Sequence, residues 1–453
     1  MMRVSLLLVG FLGGAAMAMP PPPTVFAFID VTVVPMDTAR LIERQTVIVR
    51  DGVIEAIGPD LAIPQEAMTI EAGGRFLMPG LAEMHAHVPP QAHDPQLIED
   101  TLFLYVANGV TTARSMLGAP HHLALRARAS ERGVVSPRII TSGPSLNGNT
   151  VPTAAAGREM VAEQKHAGYD FLKIHPGLDR ERYDAIAAAA DEYQIPFGGH
   201  VPTAVGLDRA LAAGQLTIDH LDAFFPALLR DGSPLADAEA QFFGWNLAGD
   251  VDVEKIAPLA QRVRDAGAWV VPTEALMRHL LLPEPTATAL ARRAPMRYMP
   301  RATVAQWVEA KQGLVNDDAY DPTLVARFIE VRARILRALR DAGAGILLGS
   351  DAPQVFNVPG FSIHDELRML VDAGFTPYEA LATGTVNVAR FLGEEGQAGT
   401  VAPGMRADLV LLDADPLADV RNAEKIAGVM VHGRWLPARE LQVGLEQIAE
   451  RND

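Results

Sequence analysis

Two histidines separated by a single small residue are the first feature of this sequence that could do chemistry. His85 and His87 end a mostly apolar run, FLMPGLAEMHAHV, at residues 76–88. Side chains two residues apart project from the same side of a β-strand, so both imidazoles can reach one point. Such a pair can hold a metal ion, although buried histidines also occur as hydrogen-bonded core groups. A metal site therefore needs further ligands downstream.

Four more ionisable side chains come at the ends of later apolar segments. They are Lys173 in FLKIH, His200 in GGHV, His220 in IDHL and Asp351 in GSDAP. Each alone has a structural explanation: a lysine can reach solvent, a histidine can bond a carbonyl, and an aspartate can cap a turn. Imidazole and carboxylate ligands together are typical of a zinc site.

A regular alternation of strands and helices begins at residue 76 and positions these groups. Predicted strands end near His87 and lie at 110–116, 138–143, 171–175, 197–201, 217–221, 269–274 and 346–352. Predicted helices lie at 96–108, 121–132, 158–167, 180–193, 204–213, 253–266, 323–342, 362–372 and 377–391. This order predicts an α/β fold, a parallel (β/α)8 TIM barrel, whose reactive groups lie at the carboxyl ends of its strands. All six candidate ligands fall at those ends. A structural role for each residue by itself would not explain why all six share this position.

The two ends of the chain predict a smaller β unit. Short β-rich segments at 25–34, 46–49, 53–57 and 68–70 precede the barrel, and others at 409–412, 428–431 and 433–436 follow it. Neither set offers enough strands for an independent core. We therefore expect one β-sandwich domain over residues 19–75 and 400–440, with the barrel over residues 76–399.

The amino terminus predicts export. Residues 1–18, MMRVSLLLVGFLGGAAMA, combine a basic start, an apolar run and small residues before an expected cleavage after Ala18. This is the pattern of a secretory signal peptide, and the run is too short for a comfortable membrane span. We expect a periplasmic or secreted protein without a stable membrane anchor. The chain has no cysteine, so its stability must come from its core and from bound metal.

Charge narrows the class of partner. The formal net charge of −16 disfavours nucleic acid and anionic membranes and leaves small molecules as the expected partners. Two long connections, residues 222–250 and 281–321, carry aromatic side chains among prolines and glycines. They are predicted to be lids over the barrel mouth or contacts within a homo-oligomer.

The ligand segments MHAH, FLKIH, GGHV, IDHL and GSDAP, in this order, resemble the metal-site motifs of the amidohydrolase superfamily. Within it, they resemble most the branch of imidazolonepropionase-related and Xaa-Pro dipeptidase-like enzymes. The tail GTVAPGMRADLV at residues 399–410 resembles that family's return into its β-sandwich. The resemblance spans about Ala27 to Trp435 and implies a metal-dependent hydrolase.

By this resemblance each candidate ligand has a role. Of two divalent ions, expected to be zinc, the more buried would be bound by His85, His87 and Asp351, the other by His200 and His220, and both by a carbamate that Lys173 forms with carbon dioxide. Lys173 indicates two metals, because imidazolonepropionases proper use one and lack that bridge. Asp351 would be the catalytic residue, accepting a proton from metal-activated hydroxide and passing it to the leaving nitrogen.

The resemblance implies hydrolysis of an amide bond in a dipeptide such as Xaa-Pro or in an N-acyl amino acid. A cyclic amide, lactone or organophosphate ester hydrolase on the same site is the alternative. Two other classes stay open: a lyase that forms a Schiff base on Lys173, and a metal-binding barrel without catalysis.

Substrate contacts are expected from the remaining strand ends and loops, with candidates Arg114, His175, Glu274 and Tyr298. Arg114 could pair with a substrate carboxylate or form a structural ion pair within the barrel. The chain departs from many relatives at Ser115, where they have Asp, and at residues 147–150, NGNT, where they have a Gly-Gly-His segment. Those loops commonly contact substrate, so the motifs leave the substrate open.

Overall fold

The computed structural model describes residues 24–90, 95–131 and 134–452. The predicted signal peptide, residues 1–18, and the start of the predicted β domain, residues 19–23, lie outside these ranges. Within them, every helix is too short or too polar to cross a lipid bilayer.

Strands come from the whole length of the described chain. They are β1 (Val25–Val33), β2 (Ile42–Arg50), β3 (Val53–Gly58), β4 (Met68–Glu71), β5 (Phe76–Pro79), β6 (Leu81–Ala86), β7 (Val110–Ser115), β8 (Arg138–Thr141), β9 (Leu172–Ile174), β10 (Phe197–Gly199), β11 (Thr217–Asp219), β12 (Trp269–Val271), β13 (Gly345–Ile346), β14 (Leu409–Leu412), β15 (Ile426–Val431) and β16 (Arg434–Pro437).

Helices alternate with the strands from β6 onward. They are α1 (Pro95–Ala107), α2 (His122–Ala129), α3 (Ala154–Ala167), α4 (Arg180–Glu192), α5 (Leu207–Ala212), α6 (Phe224–Ala227), α7 (Ile256–Asp265), α8 (Glu274–Leu281), α9 (Ala287–Ala291), α10 (Arg301–Val315), α11 (Pro322–Ala342), α12 (Phe361–Asp372), α13 (Pro377–Thr383), α14 (Val386–Phe391) and α15 (Ala438–Asn452). Short 3₁₀ segments lie at Phe242–Asp250, Val253–Lys255, Ala294–Tyr298 and Val420–Glu424.

The two ends of the chain share one mixed sheet. Its order is β16-β15-β14-β5-β1-β2-β3, with β4 also paired to β1. The antiparallel pairing of β5 with β14, Leu77 opposite Leu411, joins the two ends. The structure pairs these strands in one hydrogen-bonded network, and the predicted sandwich stays a prediction. An apolar core that includes Phe28 and Leu409 packs against it.

The remaining strands are all parallel and alternate with helices. Strands β6, β7 and β8 form one sheet, and β9 to β13 form another in chain order. Single parallel bridges connect the two sheets at both ends, Ser142 with Phe171 and Ala86 with Ala352. This is a TIM-barrel-like α/β arrangement. Strands β6 to β11 lie within the predicted positions. Strand β12 ends at Val271, three residues before its predicted end at Glu274, which instead begins α8. Strand β13 begins one residue early and is only two residues long.

Four segments differ from the prediction. The helix expected at 377–391 is two helices, because Thr385 has φ −129° and ψ −93°, which no helix adopts. Both long connections contain helices of their own, α6 in the first, and α9 and the 15-residue α10 in the second. Helix α15 was not predicted, and it packs against α1, where Arg451 forms a 2.6 Å ion pair with Asp100.

A fully buried arginine on α11 holds the backbone that follows β11 and β12. Arg332 Nε donates to Glu274 Oε1 at 2.7 Å. Its other nitrogens donate to the carbonyl oxygens of His220 at 2.7 Å and Pro272 at 2.6 Å. The chain needs this support at His220, whose φ of 63° is uncommon for a residue other than glycine.

Replacing Arg332 by leucine should destabilise the fold by about 3–5 kcal/mol, because the variant leaves the Glu274 carboxylate buried and unpaired. The measurement is the shift in the urea unfolding midpoint. Arg334→Leu is the matched control on the same helix, since Arg334 pairs with Glu330 at the surface and its loss should cost only about 0–1 kcal/mol. Equal shifts in the two variants would show that Arg332 has no special role.

Candidate metal centre

The first three candidate ligands lie within reach of a single ion. His85 and His87 lie at the end of β6, and Asp351 follows β13. Nε2 of His87 lies 2.7 Å from Asp351 Oδ1, and Nε2 of His85 lies 3.6 Å from the same oxygen. Donor atoms of the three residues all lie within 4.8 Å of one another. The cluster has the size and ligand types of a metal site.

A glycine allows β6 to approach the segment that follows β13. A Cβ atom at Gly349 would lie 2.5 Å from Val271 Cγ1 and 2.9 Å from the backbone nitrogen of His85. Glu83 joins the same two segments, because its Oε1 accepts hydrogen bonds from the backbone N–H groups of His85 at 3.0 Å and Ser350 at 2.8 Å. Burial raises the pKa of Glu83 to about 8. These contacts place His85 beside Asp351.

The other two histidines complete a cluster of four imidazoles. His200 follows β10 and His220 follows β11. Their ring centroids lie 4.6 Å apart, and the His220 ring lies 4.6 Å from that of His85. His220 Nδ1 also lies 3.8 Å from Asp351 Oδ2. The structure therefore brings both predicted pairs of ligands together around Asp351.

Hydrogen bonds orient the second pair. His200 Nδ1 bonds Asp222 Oδ2 at 2.7 Å, and His220 Nδ1 bonds Thr273 Oγ1 at 2.9 Å. When Nδ1 of a histidine is held in this way, its Nε2 is left as the metal-binding atom. Neither Asp222 nor Thr273 was predicted from the sequence. Asp222 could have been, because it lies two residues after His220, at the end of a predicted strand.

Burial keeps two of these imidazoles neutral. It lowers the pKa of His85 well below its usual value, and the charge of Lys173 adds to the effect. The pKa of His220 is likewise lowered well below its usual value by burial, then by its neighbour His85. A neutral imidazole has the free lone pair that metal binding requires.

Lys173, in the middle of β9, is fully buried on the same side of the barrel. Its Nζ lies 3.4 Å from Asp219 Oδ2. Burial lowers the pKa of Lys173 from its usual value, which favours the uncharged amine. Gly199 on the neighbouring strand makes room for the side chain, because a Cβ there would lie 2.6 Å from Lys173 Cδ.

Asp219 is a buried carboxylate that the sequence reasoning missed. Its Oδ2 lies 3.1 Å from His85 Nδ1, and its Oδ1 lies 3.6 Å from Arg114 Nη2. Burial alone would raise the pKa of Asp219, but the charges of Lys173 and Arg114 outweigh it, so the pKa is lowered. An acidic residue inside a short, otherwise apolar strand, directly before His220, was the signal available in the sequence.

The donor atoms fit a bound cation. Asp351 Oδ1 is buried and makes no hydrogen bond within the described residues. Two other such atoms face charged partners, His85 Nδ1 the Asp219 carboxylate at 3.1 Å and Asp219 Oδ1 the Arg114 guanidinium at 3.6 Å. His87 Nε2 lies close to Asp351 Oδ1, yet the pair lacks hydrogen-bond geometry. Buried polar atoms without partners are rare because each is costly. Neutral imidazoles and carboxylates that face a common point are ligands suited to zinc.

His175 lies at the edge of this cluster, on the carboxyl side of β9. Its ring centroid is 5.1 Å from that of His200, and its Nδ1 shares a 2.7 Å hydrogen bond with Ser145 Oγ. Burial, followed by the charge of Lys173, lowers the pKa of His175 to about 2. A neutral His175 can therefore donate or accept one hydrogen bond beside the metal ligands.

Arg114 lies beneath the cluster, not in its mouth. The side chain is buried, and its Nε donates to the Met84 carbonyl at 2.7 Å. Its guanidinium lies 5.3 Å and 5.4 Å from the ring centroids of Phe171 and Phe391. Of the two roles predicted for Arg114, these contacts, with that to Asp219, are those of a structural ion pair within the barrel.

The other two predicted substrate residues have partners elsewhere. The Glu274 carboxylate accepts a hydrogen bond from the buried Arg332. Tyr298 stacks on Phe361 with ring centroids 5.0 Å apart, and its carbonyl accepts a hydrogen bond from Asn452. These contacts place Glu274 in the wall of the barrel and Tyr298 against α12 and α15, so they do not support substrate roles.

Comparisons with known proteins agree with this geometry. A model of the amidohydrolase family matches residues 76–436. Imidazolonepropionase of Rubrobacter xylanophilus is 25% identical over 429 residues, which cover 85% of this chain and 89% of that protein. Among solved structures, bottromycin amidohydrolase is similar at a TM-score of 0.71 and 24% identity, over 95% of this chain and 91% of the other.

A Xaa-Pro dipeptidase with methionine bound in its active site is also similar, with a TM-score of 0.64 and 16% identity, over 91% of this chain and all of the other. At this identity, the two solved structures show a common fold. The family model covers most of the chain and includes all six candidate ligands. The chain belongs to the amidohydrolase family.

Proposed function

We propose that the protein hydrolyses an amide bond in a small substrate, a dipeptide or an N-acyl amino acid, at a centre of two divalent metal ions. Family membership supports a hydrolytic enzyme. The observation that carries the proposal is the grouping of His85, His87 and Asp351, whose donor atoms all lie within 4.8 Å of one another, with Asp351 Oδ1 buried and without a hydrogen bond among the described residues. The imidazolonepropionase among its relatives and the Xaa-Pro dipeptidase among its structural neighbours support the reaction type.

The ligand roles follow the geometry of the cluster. We assign His85, His87 and Asp351 to one ion, and His200 and His220 to the other. Lys173 would bridge the two after reacting with carbon dioxide, since its buried amine favours the uncharged form that this reaction needs. Zinc is the metal that we propose, because imidazole and carboxylate ligands suit it.

Bound divalent ions supply Lewis-acid chemistry at such a site, which activates water and polarises a carbonyl. Asp351 would take the proton of the attacking water on the carboxylate oxygen that does not bind the ion, and deliver it to the leaving nitrogen. We propose that the neutral His175 hydrogen-bonds the substrate, a role supported by its position 5.1 Å from the His200 ring. His87, 2.7 Å from Asp351 Oδ1, would bind the same ion as that carboxylate.

The remaining sequence-based expectations stay as proposals. We propose that the parallel strands close into a complete barrel over residues 76–399, and that the two chain ends form a separate β-sandwich domain. The bridge between Ala86 and Ala352 supports the first, since it connects the first strand with the segment after the last. The pattern of residues 1–18 supports export and signal cleavage.

Metal removal tests the function most simply. We expect the chelated protein to lose activity against a library of dipeptides and N-acyl amino acids, and to regain it with zinc, because water activation depends on the ions. Activity that resists chelation, together with a substrate adduct trapped on Lys173 by borohydride, would instead show a Schiff-base lyase. Metal binding without turnover of any substrate would show a non-catalytic barrel.

Asp351→Asn should lower kcat by about 10²- to 10⁴-fold on the best substrate of that library, because an amide cannot accept the proton. The variant keeps an oxygen ligand, so elemental analysis should still find most of the metal. Asp372→Asn is the control, since Asp372 forms only a surface ion pair with Arg278. Near-normal turnover by Asp351→Asn would end its assignment as the proton acceptor.

A further inference from the structure

The connection after β11 places an aromatic ring over the second pair of histidines. The Phe243 ring centroid lies 6.4 Å from that of His200, with the planes 13° apart, and 5.0 Å from that of His220. Phe243 has φ 61° and ψ 13°, a left-handed conformation that is uncommon for a bulky residue. Asn246 fixes this segment, because it accepts from the Gln241 N–H and donates to the Glu239 carbonyl. The ring therefore has a defined position beside the metal centre.

A cavity of about 620 Å³ lies next to this ring. Its lining includes Pro176, His200 and Ala223, which follow β9, β10 and β11, so it opens at the carboxyl ends of the strands. We call it the Phe243 cavity, and define it by these three residues with Val201, Pro226 and Phe243. Its volume is in the range of small-molecule sites, and apart from His200 these defining walls are apolar.

The charged residues that line the Phe243 cavity are all acidic: Asp208, Asp222 and Glu239. Asp222 is bonded to His200, and Asp208 pairs with Arg262 at 2.8 Å. Glu239 is exposed at the edge of the cavity. Among the described residues, the lining contains neither lysine nor arginine. Of these three, Glu239 is the one for which no ion pair is described, so a negatively charged group would be repelled at its edge of the cavity, and a neutral or cationic one accepted.

We propose that the Phe243 cavity receives the acyl part of the substrate, an apolar group without negative charge, and that Phe243 determines its specificity. This inference rests on the proposed function. In a dipeptide or an N-acyl amino acid, the carboxylate belongs to the amine part. The Glu239 carboxylate would repel the carboxylate of the amine part, so the acyl part is the one that binds in the cavity. In a dipeptide, the acyl part carries an ammonium group, which Glu239 would attract.

The test uses N-acetyl-, N-phenylacetyl- and N-succinyl-proline on zinc-loaded protein. Wild type should prefer phenylacetyl over acetyl and reject succinyl. Phe243→Ala should lower the phenylacetyl-to-acetyl ratio of kcat/KM by about tenfold or more, since it removes one wall of the apolar cavity. Phe243→Leu, which keeps an apolar wall, should retain most of the preference.

Charge reversal tests the acidic lining. Glu239→Lys should raise the succinyl-to-acetyl ratio of kcat/KM by about fivefold, an effect that added salt weakens. Asp237→Lys is the matched control, because it makes the same change of charge on an exposed residue of the same connection that does not line the cavity. Unchanged ratios in Phe243→Ala and Glu239→Lys would overturn the inference.

A binding measurement separates this inference from the proposed function. Titration calorimetry with phenylacetohydroxamate and acetohydroxamate measures the affinity of the cavity for each acyl group without turnover. If wild type hydrolyses none of the three prolines but prefers phenylacetohydroxamate in a way that Phe243→Ala abolishes, the cavity stands and the proposed reaction fails. Equal affinity of wild type for the two hydroxamates overturns the assignment of the cavity.

Discussion

The crowding of ionisable side chains into one buried cluster constrains the rest of this structure. Four imidazoles, a lysine and two carboxylates meet at the strand ends, and Asp351 Oδ1 makes no hydrogen bond within the described chain. Leaving such atoms unpaired in a dry interior is costly. Bound divalent cations would remove that cost, so we expect metal binding to stabilise the fold.

Buried hydrogen bonds around the cluster fix the segments that carry its side chains. Glu83 ties β6 to the segment after β13, and Arg332 ties α11 to the backbone after β11 and β12. Glu366 on α12 accepts hydrogen bonds from the first backbone N–H groups of α8, and burial raises its pKa to about 8. Each contact joins elements distant in sequence, so the ligand positions depend on the whole barrel-like arrangement.

The strands, and the position of six candidate ligands at or near their ends, were predictable because they obey local rules. Apolar runs that end in a histidine, a lysine or an aspartate identify a strand and its chemistry together, as at His220 and Lys173. The role of Arg114 was not predictable, because the sequence around a strand-end arginine is the same for both possible positions. Its side chain could face the mouth of the site or, as here, lie beneath the cluster beside two aromatic rings. Only the tertiary structure shows which side chains pack around Arg114.

Other features escaped prediction because they depend on packing between remote segments. Asp219 is next to a predicted ligand, yet only the tertiary structure shows that it lies between His85, Lys173 and Arg114. The 3₁₀ turn that directs Phe243 toward the histidines has a left-handed residue that no sequence pattern demands. In this account, the strand ends determine the reaction, and the connection after β11 determines which acyl group reaches it.

Anomalous diffraction at the zinc absorption edge, from crystals of the zinc-loaded protein, tests the central claim most directly. We expect two peaks, one among His85, His87 and Asp351 and one beside His200 and His220, with density that extends Lys173 between them. A centre with no bound ion among these residues, or a single ion and an unmodified Lys173, would contradict it.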